Sequence, residues 1–150
     1  MALKARIKDE MKAALLSGDR FVGETLRNLT AAILDEEVKL GKRDEGLSDE
    51  ETEKVVAREV KKRNESAKIY RDNNRPDLAE PEEREIEILQ AYLPKQLDET
   101  ELAAIIEAKI AELSVSGPQA MGQVIGAVKK QVGNAADGAA IARIVKQKLD

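Results

Sequence analysis

The chain has no cysteine, no histidine and no tryptophan, and its aromatic residues are two tyrosines and one phenylalanine. Each absence excludes something. Without cysteine there is no disulfide framework and no thiolate site. Without histidine as well, metal binding is limited to hard, oxygen-ligated ions, and the usual pairing of a nucleophile with an imidazole base cannot be built. So few aromatics leave the core to Leu, Ile, Val and Ala, which suits helix-on-helix packing better than sheets. They also leave no stacking platform for single-stranded nucleic acid. No stretch approaches the roughly 20 apolar residues of a membrane span. The opening Met1-Ala2-Leu3-Lys4-Ala5-Arg6 is not followed by the apolar segment of a secretory signal. These two features set the expectation of a cytoplasmic protein with no membrane partner.

What is present is 42% hydrophobic residues, enough for a packed core, and 36% charged residues, which argue against a sticky surface. The formal net charge of −4 opposes nucleic-acid binding over the whole surface, so any such function must sit on a local patch.

Apolar residues recur at helical spacing along almost the whole chain. Leu3, Ile7, Met11 and Leu15 line a first helix to about Leu16, stopped at Ser17-Gly18-Asp19. Val22, Leu26, Leu29, Ile33 and Leu40 line a second from about Arg20 to Leu40. Residues 42–46 form a polar loop. Ser48 with Glu51 is a capping-box pattern that opens a third helix to about Asp72. Its apolar positions are only Val55, Val56, Val60, Ala67 and Tyr70, so it buries a narrow stripe. A fourth helix ends near Tyr92. Pro81 removes a backbone donor, which predicts a main helix starting there after a short turn at 76–79; a kinked continuous helix is the rival.

Leu93-Pro94 marks a boundary, because the residue before proline is pushed out of the helical region. The resulting expectation is all-α: an N-terminal four-helix domain over 1–93, a linker at 94–97 and a small three-helix domain over 98–150. The last three helices span about Glu99–Leu113, from Pro118 to Gly133-Asn134, and from near Asp137 to the end.

The sequence offers no catalytic residue, no metal site and no cofactor site. Ser17, Ser48 and Ser116 occupy turn and cap positions. Gly122 and Gly126 have a spacing that suits close helix packing. The acidic groups Asp35-Glu36-Glu37, Asp49-Glu50-Glu51 and Glu82-Glu83 read as solvated faces or first turns, since neighbours on a helix point apart. Arg58, Lys61, Lys62 and Arg63, interleaved with Glu59 and Glu65, read as a salt-bridged solvated face. The candidates for a phosphate patch are Lys129, Lys130, Arg143, Lys146 and Lys148, against only Asp137 and Asp150 in the same segment. The competing explanation is that bases favour the last turn of any helix.

Several segments resemble YqeY-like proteins: residues 3–15, Thr25-Leu26-Arg27-Asn28-Leu29, Tyr92-Leu93-Pro94-Lys95-Gln96-Leu97, Met121-Gly122-Gln123-Val124-Ile125-Gly126 and Ala136-Asp137-Gly138. That family is similar to the C-terminal helical and tail region of the GatB subunit of tRNA-dependent amidotransferase. The resemblance implies an α-helical two-domain fold and a noncatalytic module that binds tRNA or joins an amidotransferase complex. It carries a family-level link to carbon–nitrogen ligases using glutamine as amide donor, but no active site. The chain departs from the family at Asn134, Ala135 and Ala139, where relatives commonly carry a base. A protein-interaction adaptor without RNA binding is the alternative, motivated by the acidic balance and the weakly buried third helix.

Overall fold

The computed structural model describes residues 2–150, and among these there is no strand. The order is α1 (Leu3–Ser17), α2 (Arg20–Lys39), α3 (Asp49–Asp72), α4 (Pro76–Gln90), α5 (Glu99–Leu113), α6 (Met121–Val132) and α7 (Gly138–Leu149), with 3-10 turns at Pro118–Ala120 and Gly133–Ala135. Two compact units divide between Leu93 and Pro94. The first holds α1–α4 and the second α5–α7.

In the first unit α1 pairs with α2, and α3 with α4. Gly18 ends α1 in the left-handed region at φ +85°, its N–H donating to Ala14 and Leu15 carbonyls. Asp19 then caps α2 by accepting the Val22 N–H. Gly23 lets α1 approach closely, since a Cβ there would meet the Leu15 side chain and push it aside. The core is Ile7, Leu26, Leu29, Ile33, Val55, Val56, Ile86 and Leu89, each contributing about 1.5–3 kcal/mol by its burial. Two expected stripe residues leave it: Leu15 and Leu40 are exposed. Leu15 lies over Gly23, and Leu40 is already the C-terminal cap of α2.

The Ser48–Glu51 capping box forms as the pattern predicts, and α3 buries only Thr52, Val55, Val56, Val60 and Ala67. The expectation for Pro81 is corrected: α4 is one helix from Pro76 to Gln90, with Pro81 inside it. One missing donor is outweighed because Ala79, Ile86 and Leu89, on both sides of the proline, are buried in the same unit. Arg71 on α3 also holds Glu83 on α4 in a two-point ion pair at 2.8 and 3.1 Å.

The second unit packs α5, α6 and α7 around Leu102, Ile106, Val124, Val128, Ile141 and Val145. Asp98 and Glu101 form the expected capping box on α5. Residues 94–97 belong to this unit rather than forming a free linker. The Leu97 N–H donates to the Ala135 carbonyl at 2.9 Å, and Gln96 Nε2 donates to the Asn134 carbonyl at 2.9 Å. Pro94 stops a helix here, so the following backbone must find its partners elsewhere, and the 3-10 turn supplies free carbonyls. The packing role expected for Gly122 and Gly126 is also corrected. Both are exposed, and a Cβ on either would meet nothing within 4 Å.

Candidate functional site

The five candidate bases lie on α6 and α7, but they do not form one patch. Lys129 and Lys130 are in the last turn of α6, and Lys146 and Lys148 in the last turn of α7. Lys129 reaches the opposite end of α7, its Nζ 3.5 Å from where a Cβ on Gly138 would stand. Lys146 is two turns further along α7, about 12 Å on at 1.5 Å per residue. Two of the five are engaged with α5: Arg143 pairs with Glu99, and Lys148 with Glu107 at 2.5 Å. Among the described residues, Lys129, Lys130 and Lys146 are exposed and take part in no ion pair. The second unit is therefore polarised, with acids on α5 and unpaired ammonium groups on α6 and α7.

One base escaped the sequence reading. Lys95 is exposed and free of ion pairs, and its neighbour Gln96 is tied to the turn at Asn134 that follows α6. The backbone bond from Leu97 to Ala135 fixes the same segment. Lys95 thus shares one end of the second unit with Lys129 and Lys130. The N-terminus of α7 lies there too, with Asp137 at its N-cap position making no side-chain cap hydrogen bond. The only local signal was a lysine after a proline in a segment that looked like a linker.

In the first unit several charged groups are structural, while Lys8, Lys12, Lys54, Lys61 and Lys68 are exposed. Of the Asp35-Glu36-Glu37 group only Asp35 is exposed as a solvated face requires. Glu37 is 1% exposed and accepts Lys4 Nζ at 2.7 and 2.8 Å and the Leu47 N–H at 3.2 Å. Glu36 pairs with Arg58 at 3.1 Å. Arg63 is likewise drawn in, bridging Glu59 on its own helix and Glu85 on α4 at 2.6 Å. Between α2 and α3 lies a groove of about 240 Å³ floored by Ala32 and Val55 and rimmed by both signs of charge, including Asp35, Lys39 and Lys62. The Tyr92 hydroxyl donates to Glu10, and Arg6 lies 4.9 Å over its ring. That hydrogen bond lowers the Glu10 pKa, while burial and then Glu10 raise that of Tyr92. Ser48 accepts the Glu51 N–H and Ser17 donates to the Ala14 carbonyl, so both serve as caps. Among the described residues no group of acids converges as a metal site, and no helix is long and apolar enough to cross a membrane.

The model of the YqeY-like protein family matches residues 4–149. The chain is also similar to "Altered inheritance of mitochondria protein 41, mitochondrial" of three yeasts. Identity is 30% for Lachancea thermotolerans, over 76% of this chain and 61% of the relative. It is 33% for Clavispora lusitaniae, over 65% and 57%. It is 34% for Eremothecium gossypii, over 73% and 60%. The matches therefore span about three fifths of the relatives' own length. Their names correct the expectation of a cytoplasmic protein, since each is named as mitochondrial. Physically, that expectation leaned on a missing apolar leader, whereas mitochondrial targeting segments are amphipathic and Arg-rich, so the criterion does not bear on that compartment. With its family model matched over nearly the whole chain, the protein belongs to the YqeY-like family.

Proposed function

We propose that this chain is a noncatalytic helical module that binds folded tRNA, alone or in association with a tRNA amidotransferase. The observation that carries the reading is the set of exposed, unpaired ammonium groups of Lys129, Lys130 and Lys146 on one neutral unit of an otherwise acidic chain. Without aromatic side chains in that unit, base stacking is unavailable, so contact with the phosphate backbone of a folded RNA is the mode that fits. Such binding weakens steeply with salt, because each phosphate neutralised releases counterions. The test is tRNA binding by the purified chain at low ionic strength. Charge reversal at Lys129, Lys130 and Lys146 together should weaken it, and absence of binding by the unaltered chain would contradict the reading.

A second reading, a protein-interaction adaptor, is favoured by Leu34 and Val38, one turn apart on α2 and 44% and 60% exposed. Recovery of a stoichiometric protein partner that survives nuclease treatment would support it over RNA binding. Amide transfer by the chain itself would need a nucleophile and a nucleotide site. Purified chain converting Glu-tRNA to Gln-tRNA without other subunits would overturn the noncatalytic reading.

A further inference from the structure

We infer that Lys95 is a phosphate-contacting residue, and that with Lys129 and Lys130 it forms a clasp on the backbone of the bound RNA at one end of the second unit. The inference rests on the RNA-binding reading and narrows it to a place. Three observations meet there. First, the segment 94–97 is folded onto the turn that follows α6, through Gln96 Nε2 to the Asn134 carbonyl and the Leu97 N–H to the Ala135 carbonyl, both at 2.9 Å. Gln96 Nε2 also donates to the Pro94 carbonyl at 2.9 Å, which closes the segment around Lys95. Second, Lys129 leans over Gly138 just beyond the same turn. Third, none of the three lysines has an ion-pair partner, whereas Arg143 and Lys148, further along α7, are held by Glu99 and Glu107.

The acids at this end are Asp137, at the N-cap of α7, and Asp98, Glu99 and Glu101 at the start of α5. Glu99 is held by Arg143, and Asp98 and Glu101 accept each other's backbone N–H at 2.7 and 3.0 Å. Three exposed ammonium groups near one turn suit an extended anionic strand with successive charges. Lys146, about 12 Å away along α7, lies outside the clasp.

The experiment is tRNA binding by the full chain and by Lys95→Gln, Gln96→Ala and Lys146→Gln, each titrated with salt. Lys95→Gln should weaken binding severalfold at low salt and reduce the steepness of the log–log salt dependence by about 0.7–0.9, the share of one phosphate contact. A purely structural role for Lys95 would leave that slope unchanged. Gln96→Ala keeps every charge but frees the segment, so it should weaken binding and retain the helical circular dichroism. Lys146→Gln should change affinity less than Lys95→Gln. If the unaltered chain binds tRNA and Lys95→Gln binds equally with an unchanged slope, the clasp is overturned while the RNA-binding reading stands. If the unaltered chain does not bind, both fall.

Discussion

Replacing Gly126 by alanine should stabilise the protein, and replacing Gly133 by alanine should destabilise it, although the two sites offer the new methyl group the same open space. At both, a Cβ would meet no atom within 4 Å. Gly126 sits inside α6 with ordinary helical backbone, so alanine gains only the reduced freedom of the unfolded chain and the better helix propensity, about 0.5–1 kcal/mol. For a unit of this size that raises the unfolding midpoint by about 2–8 °C. Gly133 has φ +55° and ψ −130°, a region that only glycine enters without strain, so alanine there should cost about 1–3 kcal/mol. Gly122, at the second residue of α6, should follow Gly126 with a smaller gain. The assay is thermal unfolding followed by circular dichroism, with amide exchange of α6 to assign the change to the second unit. A destabilised Gly126→Ala, or a neutral Gly133→Ala, would refute the reasoning that these helical glycines face open space and that only the turn glycine is conformationally required.

Other predictions follow from the first unit. Lys4→Met strips the buried Glu37 carboxylate of its ammonium partner, leaving only the Leu47 N–H. Because Lys4 is itself partly exposed, the expected loss is about 2–4 kcal/mol in urea unfolding, and a neutral result would contradict the ion pair. Tyr92→Phe removes the hydroxyl that donates to Glu10 and should cost about 1 kcal/mol, with the Glu10 carboxyl, followed by NMR titration, moving back up toward its ordinary range. Lys42 first, and then the Ser48 N–H, hold the Glu51 carboxyl at about 2, below its ordinary 4.5. A depressed carboxyl contributes stability that is fully present above pH 4.5 and is lost as pH falls toward 2. Glu51→Gln should therefore be less stable than the unaltered chain at pH 6 and converge with it near pH 2; a constant gap across that range would count against the arrangement.

Helix positions were legible in the sequence because they rest on local signals. The capping boxes at Ser48–Glu51 and Asp98–Glu101 and the stop at Gly18 use neighbours within a turn, and all three appear as read. What was not legible depends on residues far apart in the chain. Glu37 looked solvated because its partners, Lys4 and Leu47, come from another helix and a loop. The continuity of α4 through Pro81 is decided by burial on both sides of the proline, a tertiary effect that outweighs one missing donor. The five candidate bases looked equivalent in sequence. Only the packing of α7 on α5 separates Arg143 and Lys148, which are paired, from Lys129, Lys130 and Lys146, which are not. Lys95 joined them only when the segment after Pro94 proved to be folded onto the turn after α6.

The most direct test of the central claim is the affinity of the purified chain for tRNA across a salt series, beside Lys129→Glu/Lys130→Glu. With three or four phosphate contacts, the account predicts that log affinity falls against log salt with a slope of about −2 to −4. It also predicts a shallower slope and much weaker binding in the double variant. No binding at low salt, or binding with a slope that the double variant leaves unchanged, would contradict it.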